Sequence, residues 1–571
     1  MKTSAYFFEC TVTEKRIYWT IKKTGAFCPV KIRKRRLKNG NFVCSETEPI
    51  VETKEGKLRG FLLDGIYTFH GIKYANAKRW QMPTPVEPWE GVKDATNYGY
   101  ICPINGAPAP QGEIYIPHRF WPANENCQYL NIWTTSLNAA AKKPVMVWLH
   151  GGGFSDGSSI EQIAYEGDAL AEYGDVVVVT LNHRLNILGY LDMSSYGEKY
   201  KNSGNAGMAD IVEALRWVHN NIAGFGGDPE NVTVFGQSGG GGKVQTLLQI
   251  PDAAGLFHRA VLMSGIMSAK GGSGRDQATD HRLLIDGILK ELNIPENEVE
   301  RLEKVPYALL TMAYNKVNIS LIRKGIYISW GPVPNDWYLG DPMVVGFSEY
   351  AKTVPTMAGT VIAEFSEGAK IPAPDQLTYP EKCRLIQEQY GAYGERMTAL
   401  FEKAYPDKDL TRLTKLDNVS RLATTRFIEE KARVSTAPAY LYMFALDFDV
   451  NGSRPAWHCS DIPFVFHNTH RVPCCNIQGV TEKLEDEMAG AWVSFARYGN
   501  PNHKNMDHWP AYQENTKATM IFDRHSQAKS NYDRELMETL EEALPPMDMR
   551  ASFAERILER EESGEGNKWM Y

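Results

Sequence analysis

From residue 144 onward the chain alternates short apolar runs with segments of helical spacing, and that rhythm restricts the fold more than any other feature. Pro144–Leu149 reads PVMVWL, Asp175–Thr180 reads DVVVVT, Val232–Phe235 reads VTVF and Ala260–Met263 reads AVLM. Between them, Met208–Asn221 carries Ile211, Leu215 and Val218 on one helical face, and a second helix runs through Leu247 and Leu248. Strands alternating with helices of this length form a parallel sheet covered on both faces, because each parallel crossover needs a helix to return the chain. The expected class is therefore α/β, with a large, mostly parallel central sheet. Further strands are expected at Thr356–Thr360, Tyr440–Leu446 and Thr519–Phe522. An antiparallel meander is expected over Ile50–Tyr74, where Gly56, Gly60, Gly65 and Gly71 punctuate short apolar runs. Residues 267–350 and 370–435 read as charged, mostly helical insertions over the C-terminal edge of the sheet, where open α/β folds hold their ligands.

Composition narrows the function classes. With 571 residues, 43% of them hydrophobic, the chain has enough apolar surface for its own core without disulfides or metals. Its apolar runs are strand-sized, such as Val176–Val179, so no integral membrane segment is expected. The nine cysteines include no C-x-x-C pair, which argues against zinc-ribbon and thioredoxin chemistry, and Cys474-Cys475 read as two structural residues. The net charge of −7 is unevenly spread, since residues 1–45 hold eleven Lys and Arg against two acids. The acidic remainder repels phosphate backbones, so no nucleic-acid partner is expected. The run Lys31–Lys38 reads as part of a solvated, poorly ordered extension in preference to a targeting signal. Ala5–Cys10 is too short for the apolar core of a secretory signal, so the expected location is cytoplasmic, with mostly reduced thiols. In that compartment the sequons at Asn231, Asn318, Asn418 and Asn451 carry no sugar. The domain plan is a basic extension over 1–47, a catalytic domain over 48–545 and a charged tail over 546–571; the sequence specifies no oligomeric state.

Two stretches match G-x-S-x-G, around Ser155 and around Ser238. Ser238 comes directly off the strand Asn231–Phe235 and leads at once into a helix, the strand–turn–helix context of a nucleophile elbow. Gly236 and Gly240 flank it because the turn leaves no room for a Cβ. Ser155 instead follows His150-Gly151-Gly152-Gly153, whose successive glycines allow backbone N–H groups to converge on one point. Fixed donors of that kind suit a developing oxyanion, so Gly152, Gly153 and the N–H of Gly239 are the candidate oxyanion donors and Ser238 the candidate nucleophile.

A serine needs a base, and the base an orienting acid, which in this type of sheet follow in the order Ser, Asp or Glu, His. Among the histidines downstream of Ser238, His458 is best placed, in the loop Ser453–Ser460 soon after the strand Tyr440–Leu446. His467, His470, His503, His508 and His525 sit in polar connections and read as solvated or capping residues. For the acid, Glu364 follows the strand Pro355–Thr360. Asp461 lies three residues from His458 and reads as a local hydrogen-bonding partner, and Asp336 as a turn residue.

Over about residues 50–525 these motifs resemble, in order, the type-B carboxylesterase family of α/β-hydrolases. Glu125-Asn-Cys-Gln-Tyr-Leu-Asn131 is similar to the family's E-D-C-L-x-L-N signature, and His150-Gly-Gly-Gly-Phe154 to its oxyanion loop. Asn182–Leu185, Asn205–Gly207 with Asp210, and Phe225–Pro229 follow; Gly236-Gln-Ser-Gly-Gly240 stands for the family's G-E-S-A-G. Gly359–Glu364 and Trp457-His458 fall where the family carries its glutamate and histidine. The departures are Gln237 for an acid, Gly239 for alanine and Asn126 for aspartate. The resemblance implies an α/β-hydrolase fold, a small-molecule ester substrate, no cofactor and no metal. It also implies pairing of Cys127 with an upstream cysteine, best matched by Cys102. The reaction it implies is serine carboxylesterase chemistry through Ser238, His458 and Glu364. Rival readings are a thioesterase, amidase or carbamate hydrolase with the same triad, and a binding or adhesion relative with vestigial activity.

Overall fold

The computed structural model describes residues 7–13, 16–22, 41–104, 117–266, 280–366, 372–450, 452–544 and 549–562. The basic run Lys31–Lys38, Cys28 and Asn451 lie outside them. A 12-stranded sheet organises the molecule. Its strands, in chain order, are β1 (Phe42–Val43), β2 (Phe61–Leu63), β3 (Ile66–Lys73), β4 (Tyr129–Thr134), β5 (Lys143–Leu149) and β6 (Val177–Leu181). β7 (Gly227–Gln237), β8 (Arg259–Met263), β9 (Thr356–Val361), β10 (Ala439–Phe444), β11 (Ala518–Phe522) and β12 (Gln527–Ser530) complete it. The spatial order is β12-β11-β10-β9-β8-β7-β5-β6-β4-β3-β2-β1. Every pairing from β6 through to β11 is parallel, and those outside that block are antiparallel.

The period of two along each strand sorts its side chains between two cores. Val145, Val147 and Leu149 pack on one face with Val177, Val179, Val232 and Val234, beneath Ile211, Leu215, Val244 and Leu247 of the covering helices. Met146, Trp148, Val178 and Phe235 pack on the other, against Trp492 and Phe495 of the helix Thr481–Tyr498. Both faces of the middle strands are therefore buried, which is why those runs read as continuously apolar. The helix expected from Met208 spans Ala206–Asn221.

Two expectations change in detail. The meander divides at Gly60: Ile50–Glu52 and Lys57–Arg59 pair in a separate three-stranded sheet with Val92–Asp94, and only β2 and β3 join the large sheet. The segment 370–435 is insertion only in part. Its helices Tyr379–Tyr390 and Gly394–Ala404 pack beside the sheet, but Arg421–Val434 lies against β9 and β10 as an ordinary covering crossover, with Phe427 and Ile428 in the core. In the first insertion, helices Arg282–Glu291 and Tyr307–Ile322 pack on Leu185–Leu191, which follows the C-terminal end of β6. Inside the basic extension, Phe7–Thr13 pairs antiparallel with Arg16–Lys22. Near the other terminus, helix Met549–Glu562 packs on helix Tyr307–Ile322, with Glu561 bonded to Arg323 at 2.7 Å.

Candidate active site

Because β5, β7, β9 and β10 run parallel, the segments leaving their C-terminal ends share one edge of the sheet. At the end of β7, Ser238 takes φ +58° and ψ −126°, and helix Gly239–Leu247 begins at the next residue. A serine in this backbone region is strained. It is held there by its own N–H, which donates to the Met263 carbonyl at 2.8 Å, while Gly242 N–H donates to the Ser238 carbonyl at 3.0 Å. The turn is packed main chain on main chain. A Cβ on Gly236 would stand 2.6 Å from the Leu149 carbonyl oxygen, and one on Gly241 2.9 Å from the Gly265 Cα.

The loop leaving β5 meets this turn. Gly152 and Gly153 have φ of +82° and +62°, and both are exposed. The Gly152 carbonyl accepts from the Ser155 and Asp156 N–H groups at 3.2 and 2.9 Å. A Cβ on Gly239 would stand 2.5 Å from the Gly153 carbonyl carbon, and one on Gly151 3.4 Å from the Ser238 Cβ. Underneath, the fully buried Lys243 donates from Nζ to the His150 carbonyl at 3.0 Å. Burial, and then the Lys243 charge, hold the His150 imidazole neutral by lowering its pKa. Ser155 sits within this loop, its carbonyl accepting from Asn186 Nδ2 at 3.1 Å. The structure thus brings Ser238, Gly152, Gly153 and Gly239 together.

Glu364 follows β9 with its side chain fully buried. Its Oε1 accepts from the Val361 N–H at 3.1 Å, and its Oε2 is hydrogen-bonded to Nδ1 of His458. His458 lies in the connection between Arg454-Pro455 and the short helix Ile462–Val465. A carboxylate at Nδ1 places the proton on that nitrogen and leaves Nε2 as the acceptor, the tautomer assigned from the partner. The imidazole has two further neighbours. Phe365 stacks on it with ring centroids 4.3 Å apart and an interplanar angle of 29°. Gln237 Nε2 lies 3.3 Å from Nδ1 and 3.4 Å from Nε2. The two ring nitrogens point away from each other in the ring plane, so a donor equally close to both sits over the ring face. Gln237 is itself oriented by Cys459, whose Sγ donates to Oε1 at 3.1 Å. Phe365 and Cys459 adopt φ of +52° and +73°.

Asp461 does not take the orienting position. Its Oδ2 accepts from the Tyr442 hydroxyl at 3.2 Å, and burial, with the Glu364 charge as second cause, pushes its carboxyl up to about 7. Asp417, which accepts the N–H groups of Val419, Ser420 and Arg421, is pushed up by the same two causes. Gln237 was legible only as a departure from the family pattern. The contacts of Phe365 and Cys459 carry no signal beyond adjacency to Glu364 and His458, and Asp417 has no local signal at all. Of the remaining histidines, His467 bonds Asp486 at 3.0 Å, His503 bonds the Glu487 carbonyl at 3.0 Å, and His508 and His525 are exposed. Asp336 is exposed in a turn.

The motifs upstream have structural roles. Arg184 forms a buried pair with Asp210, at 2.9 and 2.7 Å, and Gln128 Nε2 joins it at 3.2 Å. Cys102 and Cys127 are buried free thiols; burial and the Cys102 thiol raise the pKa of Cys127. Among the described residues no group of three or more His, Cys, Asp or Glu side chains could hold a metal, and no helix is long and apolar enough to cross a membrane.

Residues 47–540 match the model of the carboxylesterase family. The chain is 31% identical to the para-nitrobenzyl esterase of Bacillus subtilis (strain 168) over 86% of its own length and 99% of that protein. It is 32% identical to carboxylesterase 3B of Mus musculus, over 81% and 85% of the two chains. Among solved structures, an esterase of Clostridium hathewayi described as able to hydrolyse aliphatic aromatic polyesters superposes with a TM-score of 0.84. Its identity is 48%, and 88% of this chain and 100% of that one are covered. With its sheet, its edge and these relatives in agreement, the chain belongs to the carboxylesterase family and is a carboxylic ester hydrolase.

Proposed function

We propose that the chain hydrolyses carboxylic esters by two-step acyl transfer, with Ser238 as nucleophile, His458 as general base and acid, and Glu364 as the group that orients the imidazole. The observation that carries this reading is the Glu364–His458 hydrogen bond, made between residues 94 apart in the chain on the edge where the turn at Ser238 stands half-buried. Ser238 Oγ attacks the ester carbonyl while His458 Nε2 takes its proton, and Glu364 stabilises the imidazolium that results. The N–H groups of Gly152, Gly153 and Gly239 receive the oxyanion. Collapse expels the alcohol, protonated by His458, and leaves Ser238 acylated. Water, deprotonated by the same imidazole, then attacks the acyl-enzyme and releases the acid.

The test is hydrolysis of para-nitrophenyl esters from acetate to decanoate by wild type and Ser238→Ala, alongside stoichiometric labelling by an organophosphonate. The variant is expected to lose about 10⁴-fold or more in kcat and to take up no label. Equal activity in both proteins would remove Ser238 as nucleophile. Wild type that neither turns over ester nor takes up label would favour a binding protein.

A further inference from the structure

We propose that Phe365 determines specificity for the alcohol half of the substrate, favouring esters of alcohols that carry an aromatic ring. This rests on the reading of His458 as the general acid. That role requires the ester's alcohol oxygen to come within hydrogen-bond reach of Nε2, so whatever hangs from this oxygen lies against the surroundings of the imidazole. Two of those surroundings face the ring itself. Gln237 is 1% exposed and hydrogen-bonded to Cys459, whereas Phe365 is 37% exposed while its ring still lies on the imidazole. A leaving group therefore meets Phe365 and not Gln237.

The backbone supports an assigned position for this ring. Phe365 has φ +52°, a region that bulky residues avoid, immediately after the residue bonded to His458 Nδ1. Strain of this kind persists where surrounding structure fixes it, and it clusters at ligand-binding positions. A large apolar side chain is thus held half in solvent at the reaction centre, where burial does not account for it. An arene on the departing alcohol extends the imidazole–Phe365 stack, and offset or tilted aromatic pairs are favoured over contact with a puckered ring of the same size.

Benzyl acetate and cyclohexylmethyl acetate isolate that difference, because they share the acyl group, nearly share leaving-group basicity and size, and differ in having a flat or a puckered ring. The quantity to measure is the ratio of their kcat/KM values in wild type, Phe365→Leu and Phe365→Tyr. The ratio is expected to fall by about 2- to 10-fold in Phe365→Leu and to be kept in Phe365→Tyr, which retains the ring. A ratio unchanged in Phe365→Leu, with both kcat values reduced alike, overturns the proposal and leaves the ring as a support for the imidazole only. Wild type that hydrolyses neither ester and takes up no phosphonate overturns the esterase mechanism itself, a failure separate from an unchanged ratio.

Discussion

Replacing Gly239 by alanine adds one methyl group, and the structure says where it goes. Its Cβ would stand 2.5 Å from the Gly153 carbonyl carbon and closer still to the Gly153 oxygen and Cα. Carbon atoms pack at about 3.5–4.0 Å, so the Gly153 backbone must retreat by about 1 Å. The loop has little freedom to do so. Gly152 at φ +82° is backed by the Asp156 main chain, and its carbonyl is held by the Ser155 and Asp156 N–H groups. The alanine keeps its own N–H, so the loss falls on the Gly153 donor, displaced relative to the oxyanion. A misplacement of about 1 Å, or the loss of one such donor, costs about 10²-fold in kcat. That corresponds to about 2.7 kcal/mol of transition-state stabilisation. KM should change little, because the donors aim at charge that exists only in the transition state. Fold stability should change by less than about 2 kcal/mol, since the gain of alanine over glycine in a helix offsets part of the overpacking. The assay is steady-state hydrolysis of para-nitrophenyl butyrate, with thermal melting in parallel. A Gly239→Ala enzyme within about threefold of wild-type kcat would refute the idea that this close approach sets the donor's position.

Two further outcomes follow from the charges around the imidazole. The groups facing or flanking it are Glu364, Gln237, Cys459 and Asp461, with Asp417 and Tyr442 behind the carboxylates. Gln237→Glu places a negative charge beside both ring nitrogens, which favours the imidazolium, so the acidic limb of the kcat/KM profile should move to higher pH by about one unit; an unmoved limb sinks this account. Asp461 has its carboxyl raised to about 7 in the fold against an ordinary 3.8. The folded state therefore holds this proton more tightly than the unfolded chain, and stability is lost as pH rises from about 4 through about 7. In Asp461→Asn that contribution is absent, so the drop in Tm between pH 5 and pH 8 should be smaller than in wild type; identical drops would exclude it.

What was legible in the sequence is what requires a particular residue type at a fixed offset. Apolar runs such as Val145–Leu149 announced the parallel strands because both faces of each are covered. Gly236 and Gly240 announced the turn because a Cβ on either meets backbone. Glu364 and His458 were singled out from chain order and from their places after strands, and the structure joins the two by a hydrogen bond. The segment 421–434 misled because a charged amphipathic helix looks the same whether it covers the sheet or decorates it. Its place is decided by Phe427 and Ile428 meeting β9 and β10, which no local spacing encodes. Asp417 is invisible for the same reason: it approaches Glu364 only after the second insertion has folded back, with its N–H donating to the Ile362 carbonyl at 3.0 Å.

The edge combines two kinds of precision. Ser238 and the proposed oxyanion donors are positioned by main chain against main chain: Ser238 N–H on Met263, Gly241 on Gly265, Gly239 on Gly153. Side-chain replacements nearby leave such contacts intact, whereas one added methyl group disturbs them. The imidazole is positioned by side chains instead, with Glu364 at its edge, Phe365 stacked on it and Gln237 over a face, the last held in turn by Cys459. Each acts on the imidazole through its side chain, so exchanging it should change the charge around the imidazole or what lies beside the leaving group. Glycine substitutions should therefore lower kcat for every ester alike. Substitutions at 237 should change the pH profile and those at 365 the order of preferred alcohols, separating what the main chain of the edge fixes from what its side chains tune.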